Sequence, residues 1–371
     1  MPATRILFAG GGSAGHLLPA LATEDALRKS LRAQGRELES VYLATRSGAE
    51  VPILQARGAT FHIVPKTNLP RKVNFELLSF VPRLVIAIIQ TLPLVRSADV
   101  VVGFGGYVAL PAYLAARISG RALVIHEANA LPGLANRLGR KIATRSLSNF
   151  PIVGWPEDGA IGLPIREAIS QITSMNPQER GDAQIAARAM LGLESTRKTL
   201  LVIGGSLGAQ RINDAIAQAL PTLLAEGFQV LHSLGRAREL PPAQNGYHPV
   251  PYISQMEQAY LASDLVISRS GAGSCAEIAA VDLPALLIPL EVGNGEQRLN
   301  AERLVTSHGA KVLANEELTG ARLLEELSQL AAIARHKTAS ASGSSSKSAA
   351  DRLAEIIIEV LDHDQRRGEL R

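Results

Sequence analysis

The sequence predicts an α/β protein built on two doubly wound parallel sheets, and three observations carry that prediction. Short runs rich in Val, Ile and Leu alternate with helix-like segments along the 371 residues. With little polar alternation inside them, such runs are strands covered by helices on both faces. The length suits about two domains at roughly 150 residues each. The pattern also restarts halfway: Gly11-Gly12-Ser13-Ala14-Gly15 and Gly204-Gly205-Ser206-Leu207-Gly208 share the form G-G-S-x-G at an offset of 193 residues, each behind an apolar run. Two strand-loop-helix openings half a chain apart predict two Rossmann-like domains.

The first opening runs through Ile6-Leu7-Phe8-Ala9, then Gly10 to Gly15, His16 and the helix-like Leu17 to Ala22. Glycines let backbone approach a ligand, and the N–H groups and dipole of the following helix attract an anion, so phosphate is the expected guest. Gly10, Gly12 and Gly15 fit G-x-G-x-x-G, but a dinucleotide site also wants an acid at the tip of the next strand to hold a ribose. That strand, Ser40 to Thr45, ends in Arg46, which argues against NAD.

Further strands are expected at Thr60 to Val64, Asp99 to Gly103, Ala122 to His126 and Thr144 to Ser148. Two of them lead into Gly103-Phe104-Gly105-Gly106-Tyr107 and His126-Glu127-Ala128-Asn129. Both loops fall at carboxyl ends of strands, where open α/β sheets bind ligands. A lone histidine is usually structural, but His16 stands at a helix N-terminus, where the dipole favours the neutral imidazole a general base needs.

A hinge is expected near Pro164, between domains at 1–163 and 164–350. The second half then offers strands at Thr199 to Ile203, Gln229 to Ser233, Val250 to Ile253, Leu265 to Ser268, Ala285 to Pro289 and Ala310 to Leu313. Arg269-Ser270-Gly271-Ala272 begins another helix at a strand end, with Glu277 in its first turns. A carboxylate beside an anion site can grip a ribose diol; a helix-stabilising acid is the plainer alternative. Glu296, Gln297 and Asn300, at helical spacing, suit hydroxyl recognition or a solvated helix start. Ser340 to Ser348 reads as a mobile loop. Beyond it an amphipathic helix, with Leu353, Ile356, Ile357, Val360 and Leu361 on one side, belongs to a third segment, 351–371, for which the domain junction is a candidate packing surface.

Cys275 is the only cysteine, which excludes an internal disulfide and a multi-cysteine metal site, suits a reducing compartment and reads as a small buried filler. The only D-x-D, Asp362-His363-Asp364, does not follow a strand and reads as solvated charge, so no metal site is indicated. A net charge of +4 gives little support to a nucleic-acid partner. The chain enters a strand almost at once, so no signal peptide is expected. Phe75 to Val95 is the most lipid-like stretch, but Glu76, Pro82, Arg83, Gln90 and Pro93 interrupt it, short of the roughly 20 apolar residues of a span. Lys66, Arg71, Lys72 and Arg83 surround Leu69, Val73, Phe75, Leu77, Leu78 and Phe80, as in a surface that meets anionic lipid, or in a core helix with basic flanks.

Taken in order, Gly11 to His16, Gly105-Gly106-Tyr107-Val108, His126 to Asn129, Gly204 to Ala209, Arg269 to Ala272 with Glu277, and Glu296-Gln297 with Asn300 resemble the motifs of the MurG family. Its members are bacterial N-acetylglucosaminyltransferases that convert undecaprenyl-diphosphate-linked muramoyl-pentapeptide (lipid I) into the lipid II of peptidoglycan. The resemblance covers nearly the full chain and implies a GT-B fold, two Rossmann-like domains facing across a cleft, with UDP-GlcNAc on the C-terminal one.

Carried over by position, the resemblance implies that Glu277 binds the ribose, Ile253 flanks the uracil, and Ser206 and Arg166 approach the diphosphate. Helix dipoles with Arg166 or Arg269 would neutralise it, and Ser13, Ser270, Gly271 and Ala272 complete the donor set. Gln297, Glu296 and Asn300 would read GlcNAc hydroxyls, with Asn129 from the other domain. Gly11, Gly12, Ala14 and Gly15, with Gly105, Gly106, Tyr107, His126 and Glu127, would form the side receiving the acceptor diphosphate. His16 would take the proton of the acceptor C4 hydroxyl in one inverting displacement. No cofactor is required by the resemblance, and a divalent cation assisting UDP release is left open. Implied partners are the lipid-linked acceptor, the cytoplasmic membrane face with its anionic lipid, and cell-wall synthesis and division proteins.

Ser13, Ala14, Leu163 and Glu296 depart from the family's common threonine, glycine, asparagine and glutamine; Glu296 adds an acceptor-only charge at the sugar site. The same architecture would also suit a UDP-GlcNAc 2-epimerase or a non-catalytic nucleotide-sugar scaffold.

Overall fold

The computed structural model describes residues 3–12, 14–46, 48–67, 75–205, 208–236, 239–291, 295–337 and 347–369. Ser13, Ser206, the basic and apolar stretch at 68–74 and the serine-rich 338–346 lie outside the described residues, as do the side chains of Ala14 and residues 75–79. The chain divides into two compact units, Met1–Arg166 with Lys347–Arg371, and Glu167–Ser346.

The first unit alternates strand and helix: β1 (Thr4–Gly11), α1 (Ala14–Ala33), β2 (Leu38–Ala44), α2 (Glu50–Ala56), β3 (Thr60–Ile63), α3 (Phe75–Ser97), β4 (Val100–Gly106), α4 (Ala109–Ser119), β5 (Ala122–Glu127), α5 (Leu134–Gly139) and β6 (Arg145–Ser148). Its six strands are all parallel, in the order β3-β2-β1-β4-β5-β6. The chain therefore switches direction between β1 and β4, and a crevice forms where the loops beyond those strands part. Both strands run further than their apolar residues suggest. Past an irregularity at Ala9/Gly10, Gly10 pairs with Gly105 and Gly11 with Gly106, so the glycines belong to the sheet's carboxyl edge.

The second unit consists of α6 (Glu167–Ser170), α7 (Pro177–Met190), β7 (Lys198–Ile203), α8 (Gln210–Ala225), β8 (Phe228–Ser233), β9 (Tyr247–Val250), α9 (Met256–Ala262), β10 (Leu265–Ser268), α10 (Ala272–Val281), β11 (Ala285–Leu287), α11 (Glu296–His308), β12 (Lys311–Val312) and α12 (Gly320–Lys337). Read from β9, its sheet β9-β8-β7-β10-β11-β12 repeats the order of the first, with the switch point between β7 and β10. One strand differs from expectation: β9 lies at 247–250, not 250–253, and Ile253 is in the loop beyond it. Pro249 hides this strand in the sequence, yet β9 is an edge paired only with β8, where a missing donor is tolerated. At α7, Asn176 Oδ1 accepts from Glu179 N and Glu179 Oε2 accepts from Asn176 N, both at 2.9 Å, a reciprocal cap with Pro177 at the first helical position.

The last helix, α13 (Ala349–Glu369), returns to the first unit and packs on α1. Leu353, Ala354, Ile357, Ile358 and Leu361 enter the core shared by Phe8, Leu27, Val102 and Val124. Each fully buried Leu or Ile there contributes about 1.5–3 kcal/mol. Asp362, expected to be solvated, instead pairs with Arg36 at 3.0 Å. The opposite face of the sheet is covered by α3, α4 and α5.

Candidate active site

In the first unit the segments after β1 and β4 interlock. A Cβ on Gly106 would lie 1.9 Å from Gly11 O, and one on Gly12 would lie 2.8 Å from Tyr107 Cδ2. Gly12, Gly105 and Gly106 also have φ of +92°, +87° and +87°, so the fit demands glycine twice over. His16, in the first turn of α1, sets its ring against this pair: a Cβ on Gly106 would be 3.1 Å from His16 Cδ2, and one on Gly105 3.4 Å from His16 Cε1. His16 Nδ1 is buried and finds no hydrogen-bond partner among the described residues. Tyr107 is partly exposed, with the Lys66 ammonium 4.6 Å from its ring centroid and Thr67 Oγ1 donating to its carbonyl.

The acid missing from the tip of β2 arrives later in the chain. Glu50, the first residue of α2 and fully buried, accepts from Gly12 N at 3.0 Å and from Thr45 N and Oγ1 at 2.8 and 3.0 Å. It holds the glycine loop itself. The Gly12 N–H is thereby committed to a carboxylate.

A second buried network braces the β4 and β5 loops. Gly105 N donates to Tyr113 OH at 3.3 Å, Tyr113 OH donates to Asn136 Oδ1 at 2.7 Å, and Asn136 Nδ2 donates to Glu127 Oε2 at 2.9 Å. Gly133 N also reaches Glu127 Oε2, and Asn129 N and Nδ2 both reach Oε1. The Tyr113 ring fills space that a Cβ on Gly103 or Gly139 would invade at 2.2 and 2.3 Å. Burial pushes its phenol well above the ordinary range, keeping it a donor.

His126 and Glu127, grouped above with the acceptor side, are thus interior. Four donors occupy the Glu127 carboxylate, and His126 has no exposed surface. Its Nε2 donates to Gly162 O at 2.8 Å, and burial lowers its pKa to about 4. Glu50, Tyr113 and Asn136 were not among the expected residues; Gly103 and Gly139, which leave room for the Tyr113 ring, are the trace that Tyr113 left in the sequence.

In the second unit, the segments after β7 and β10 flank the corresponding switch point. Gly208, at φ +73°, passes so close to Leu234 that a Cβ would lie 1.9 Å from its carbonyl oxygen. Beyond β10, Arg269 Nη1 donates to Ile288 O at 3.1 Å and to Asn315 Oδ1 at 2.8 Å, stapling β10 to the end of β11 and limiting what its guanidinium can offer a ligand. Ser270 is fully buried, with its Oγ lacking a hydrogen-bond partner among the described residues. Its carbonyl accepts from Asn300 Nδ2 at 3.3 Å. Asn300 has no exposed surface, and this bond positions Ser270. Gln297, half-buried, accepts from Leu290 N at 3.0 Å and fastens the loop before α11, while Glu296 is half-buried at the helix start.

Gly271 caps α10 at φ −61°, and Ala272 opens the helix. One turn further, Glu277 Oε2 accepts from the buried Tyr260 hydroxyl at 3.0 Å, an orienting partner absent from the sequence expectation. Ile253 is buried beyond β9, and Arg166 is half-buried at the end of the first unit. Cys275 is a buried filler, its thiol pushed up to about 12. Among the described residues no group of three His, Cys, Asp or Glu side chains could hold a metal ion. An N-terminal helix dipole with a fixed carboxylate one turn on matches a nucleoside diphosphate, anion at the helix start and diol at the acid.

Residues 6–148 match the glycosyltransferase family 28 N-terminal domain, and residues 199–356 match its C-terminal domain. A protein of Mycolicibacterium smegmatis named UDP-N-acetylglucosamine--N-acetylmuramyl-(pentapeptide) pyrophosphoryl-undecaprenol N-acetylglucosamine transferase is 43% identical, over 96% of this chain and 94% of its own length. A protein of the same name from Streptomyces coelicolor is 43% identical over 85% of each chain. Among solved structures, Acinetobacter baumannii MurG superimposes with a TM-score of 0.67 at 25% identity, covering 96% of this chain and all of the other. A UDP-N-acetylglucosamine 2-epimerase-like protein of Listeria monocytogenes shares the fold, with a TM-score of 0.63 at 14% identity over 97% of each chain.

Proposed function

This chain belongs to the MurG family within glycosyltransferase family 28, and from that membership we infer its reaction. It is a GT-B hexosyltransferase that moves GlcNAc from UDP-GlcNAc to the C4 hydroxyl of undecaprenyl-diphospho-MurNAc-pentapeptide, forming lipid II. The observation that carries this reading is the 43% identity spanning 96% of the chain to a relative bearing that activity in its name.

The two crevices suggest how the work is divided. In the second unit, the start of α10 receives the UDP diphosphate and Glu277 grips the ribose in the orientation set by Tyr260; Arg166, the last residue of the first unit, is the family's further positive charge for the diphosphate. Ile253 flanks the uracil, and Gln297 and Glu296 face the sugar. In the first unit, His16 is the general base. As the acceptor oxygen bonds to the anomeric carbon, the bond from that carbon to the UDP oxygen breaks, and His16 takes the hydroxyl proton. A single displacement inverts the α-linked donor into a β-1,4 product. Donor binding is assigned to helix dipole and arginine, without a resident metal ion.

The acceptor is anchored in a bilayer, and the α3–α5 face suits contact with one. Phe80, expected on that surface, packs inward; Val81, Val85, Ile86 and Ile89 point outward from α3, and Ile118 from α4. By length and composition Phe80–Ser97 could cross a membrane, at mean hydropathy 1.4, but Ala87, Thr91 and Val95 are buried within the unit. Between Phe80 and Arg145 the chain carries eight Arg or Lys and two acids; Glu127 is buried and Asp99 accepts from Arg5 N. An exposed apolar helix edge amid unbalanced positive charge suits peripheral docking on anionic lipid at the cytoplasmic face, beside cell-wall synthesis and division proteins.

The purified protein, incubated with UDP-GlcNAc and a lipid I analogue, should release UDP and yield a disaccharide lipid. Isomerisation of the sugar without lipid would instead identify an epimerase, and nucleotide-sugar binding without turnover a scaffold.

A further inference from the structure

We propose that Glu50 is a positioning residue for the transfer reaction, holding the first glycine loop so that His16 meets the β4 loop in working register. The proposal rests on His16 as the base, and the geometry behind it is independent of any substrate. Glu50 lies 38 positions from Gly12 in sequence, is fully buried, and spends one carboxylate oxygen on Gly12 N at 3.0 Å. The other oxygen accepts from Thr45 N and Oγ1. The acid is therefore tied to the rigid end of β2 on one side and to the loop on the other.

The surroundings are shaped to admit it. A Cβ on Gly48 would lie 2.1 Å from the Glu50 carboxylate oxygens, and one on Gly11 3.1 Å from Oε1. Across the loop, Gly12 faces the Tyr107 ring and Gly11 O faces Gly106. The loop is thus clamped between Glu50 and the very segment against which the His16 ring rests. Releasing the Gly12 N–H, four residues before His16, frees the loop's hold on the start of α1. A group misplaced by about 1 Å from its reacting partner can lose on the order of a hundredfold in rate.

Two nearly isosteric variants separate positioning from folding. In Glu50→Gln, the amide oxygen can still accept from Thr45, while its NH2 turns donor to donor toward Gly12 N–H. In Thr45→Val, the loop bond stays and only the Oγ1 bond is lost. With UDP-GlcNAc and a lipid I analogue, Glu50→Gln should lose about tenfold to a hundredfold in kcat, with the Kd for UDP-GlcNAc unchanged; Thr45→Val should keep wild-type kcat.

A second readout needs no turnover. In protein labelled with 13C at histidine Cε1, the His16 resonance, identified by its loss in His16→Ala, should shift or broaden in Glu50→Gln and stay in place in Thr45→Val. An unmoved resonance in Glu50→Gln, or equal changes in both variants, would overturn the proposal. Absence of transfer by the unmodified chain would instead count against the functional reading, and the resonance would still decide the role of Glu50.

Discussion

His126 Nε2 donates to the carbonyl of Gly162 at 2.8 Å from a ring with no exposed surface. Nearby, Arg352 of α13 donates to Ile161 O at 2.6 Å, so two donors fix the backbone just before the chain passes into its second unit. The His126 bond needs a proton on Nε2, and burial, against the pull of that bond, keeps the ring neutral.

Burial of this ring makes the first unit's stability depend on pH. The folded ring titrates at about 4, against an ordinary value of 6.5. Between those values the unfolded chain binds a proton that the folded chain does not, so stability is full above pH 6.5 and falls as pH drops toward 4. The loss is on the order of 3 kcal/mol across the window. Trp155, the only tryptophan, is buried in the same unit and can report its unfolding in urea. His126→Asn should be less stable at pH 7.5 but markedly less sensitive to pH from 6.5 to 4.5; an unchanged slope would assign the acid sensitivity elsewhere.

The two crevices should separate kinetically. His16→Ala should lower kcat by about a hundredfold or more, the usual range for losing a general base, while calorimetric affinity for UDP-GlcNAc stays near wild type. Glu277→Ala removes charge-assisted bonds to the ribose and should raise the Kd for UDP-GlcNAc by about tenfold to a hundredfold. Tyr260→Phe should show a smaller change of the same kind, since the hydroxyl only orients the acid. Full turnover by His16→Ala on native lipid would remove His16 as the base.

Membrane docking through α3 can be tested apart from catalysis. Val85 and Ile89 are exposed one turn apart and take no part in the core. Replacing both with serine should weaken cosedimentation with anionic vesicles by about tenfold, given roughly 0.8 kcal/mol per buried methylene. Turnover on a short-chain, water-soluble acceptor should not change. Equal loss on soluble and vesicle-borne acceptor would mean that these residues serve the fold.

Much of this was legible in the sequence, and the exceptions share a cause. Strands buried on both faces are unbroken apolar runs, so eleven of twelve lay close to where the runs predicted; β9, an edge holding His248 and Pro249, did not look like one. The glycine loops and His16 were legible because their chemistry is local. Glu50 and Asn136 were not, since their partners Gly12 and Tyr113 stand 38 and 23 residues away. Depth was also unreadable: His126 and Asn300 have the chemistry of a site, but a polar side chain carries no local mark of whether it faces a crevice or a core. On α3, the apolar run alone did not set the helical phase that turns Phe80 inward and Val81 outward.

Glycines in the two units should respond differently to the same added methyl. Gly106 has φ +87° and its Cβ would strike Gly11 O, so Gly106→Ala should destabilise the first unit, with backbone strain of at least about 1 kcal/mol visible in urea unfolding. Gly271 has φ −61°, a value any residue adopts, and no described atom lies within 4 Å of its would-be Cβ. Folding alone does not require glycine there, and alanine should even restrict the unfolded chain slightly, leaving stability equal or up to about 1 kcal/mol higher. If the diphosphate of UDP-GlcNAc approaches the start of α10 closely, however, the methyl occupies its place. Gly271→Ala should therefore unfold at or above the wild-type urea midpoint while its Kd for UDP-GlcNAc rises about tenfold or more, roughly 1.4 kcal/mol of lost binding. Undiminished donor affinity in that variant would move the diphosphate away from α10.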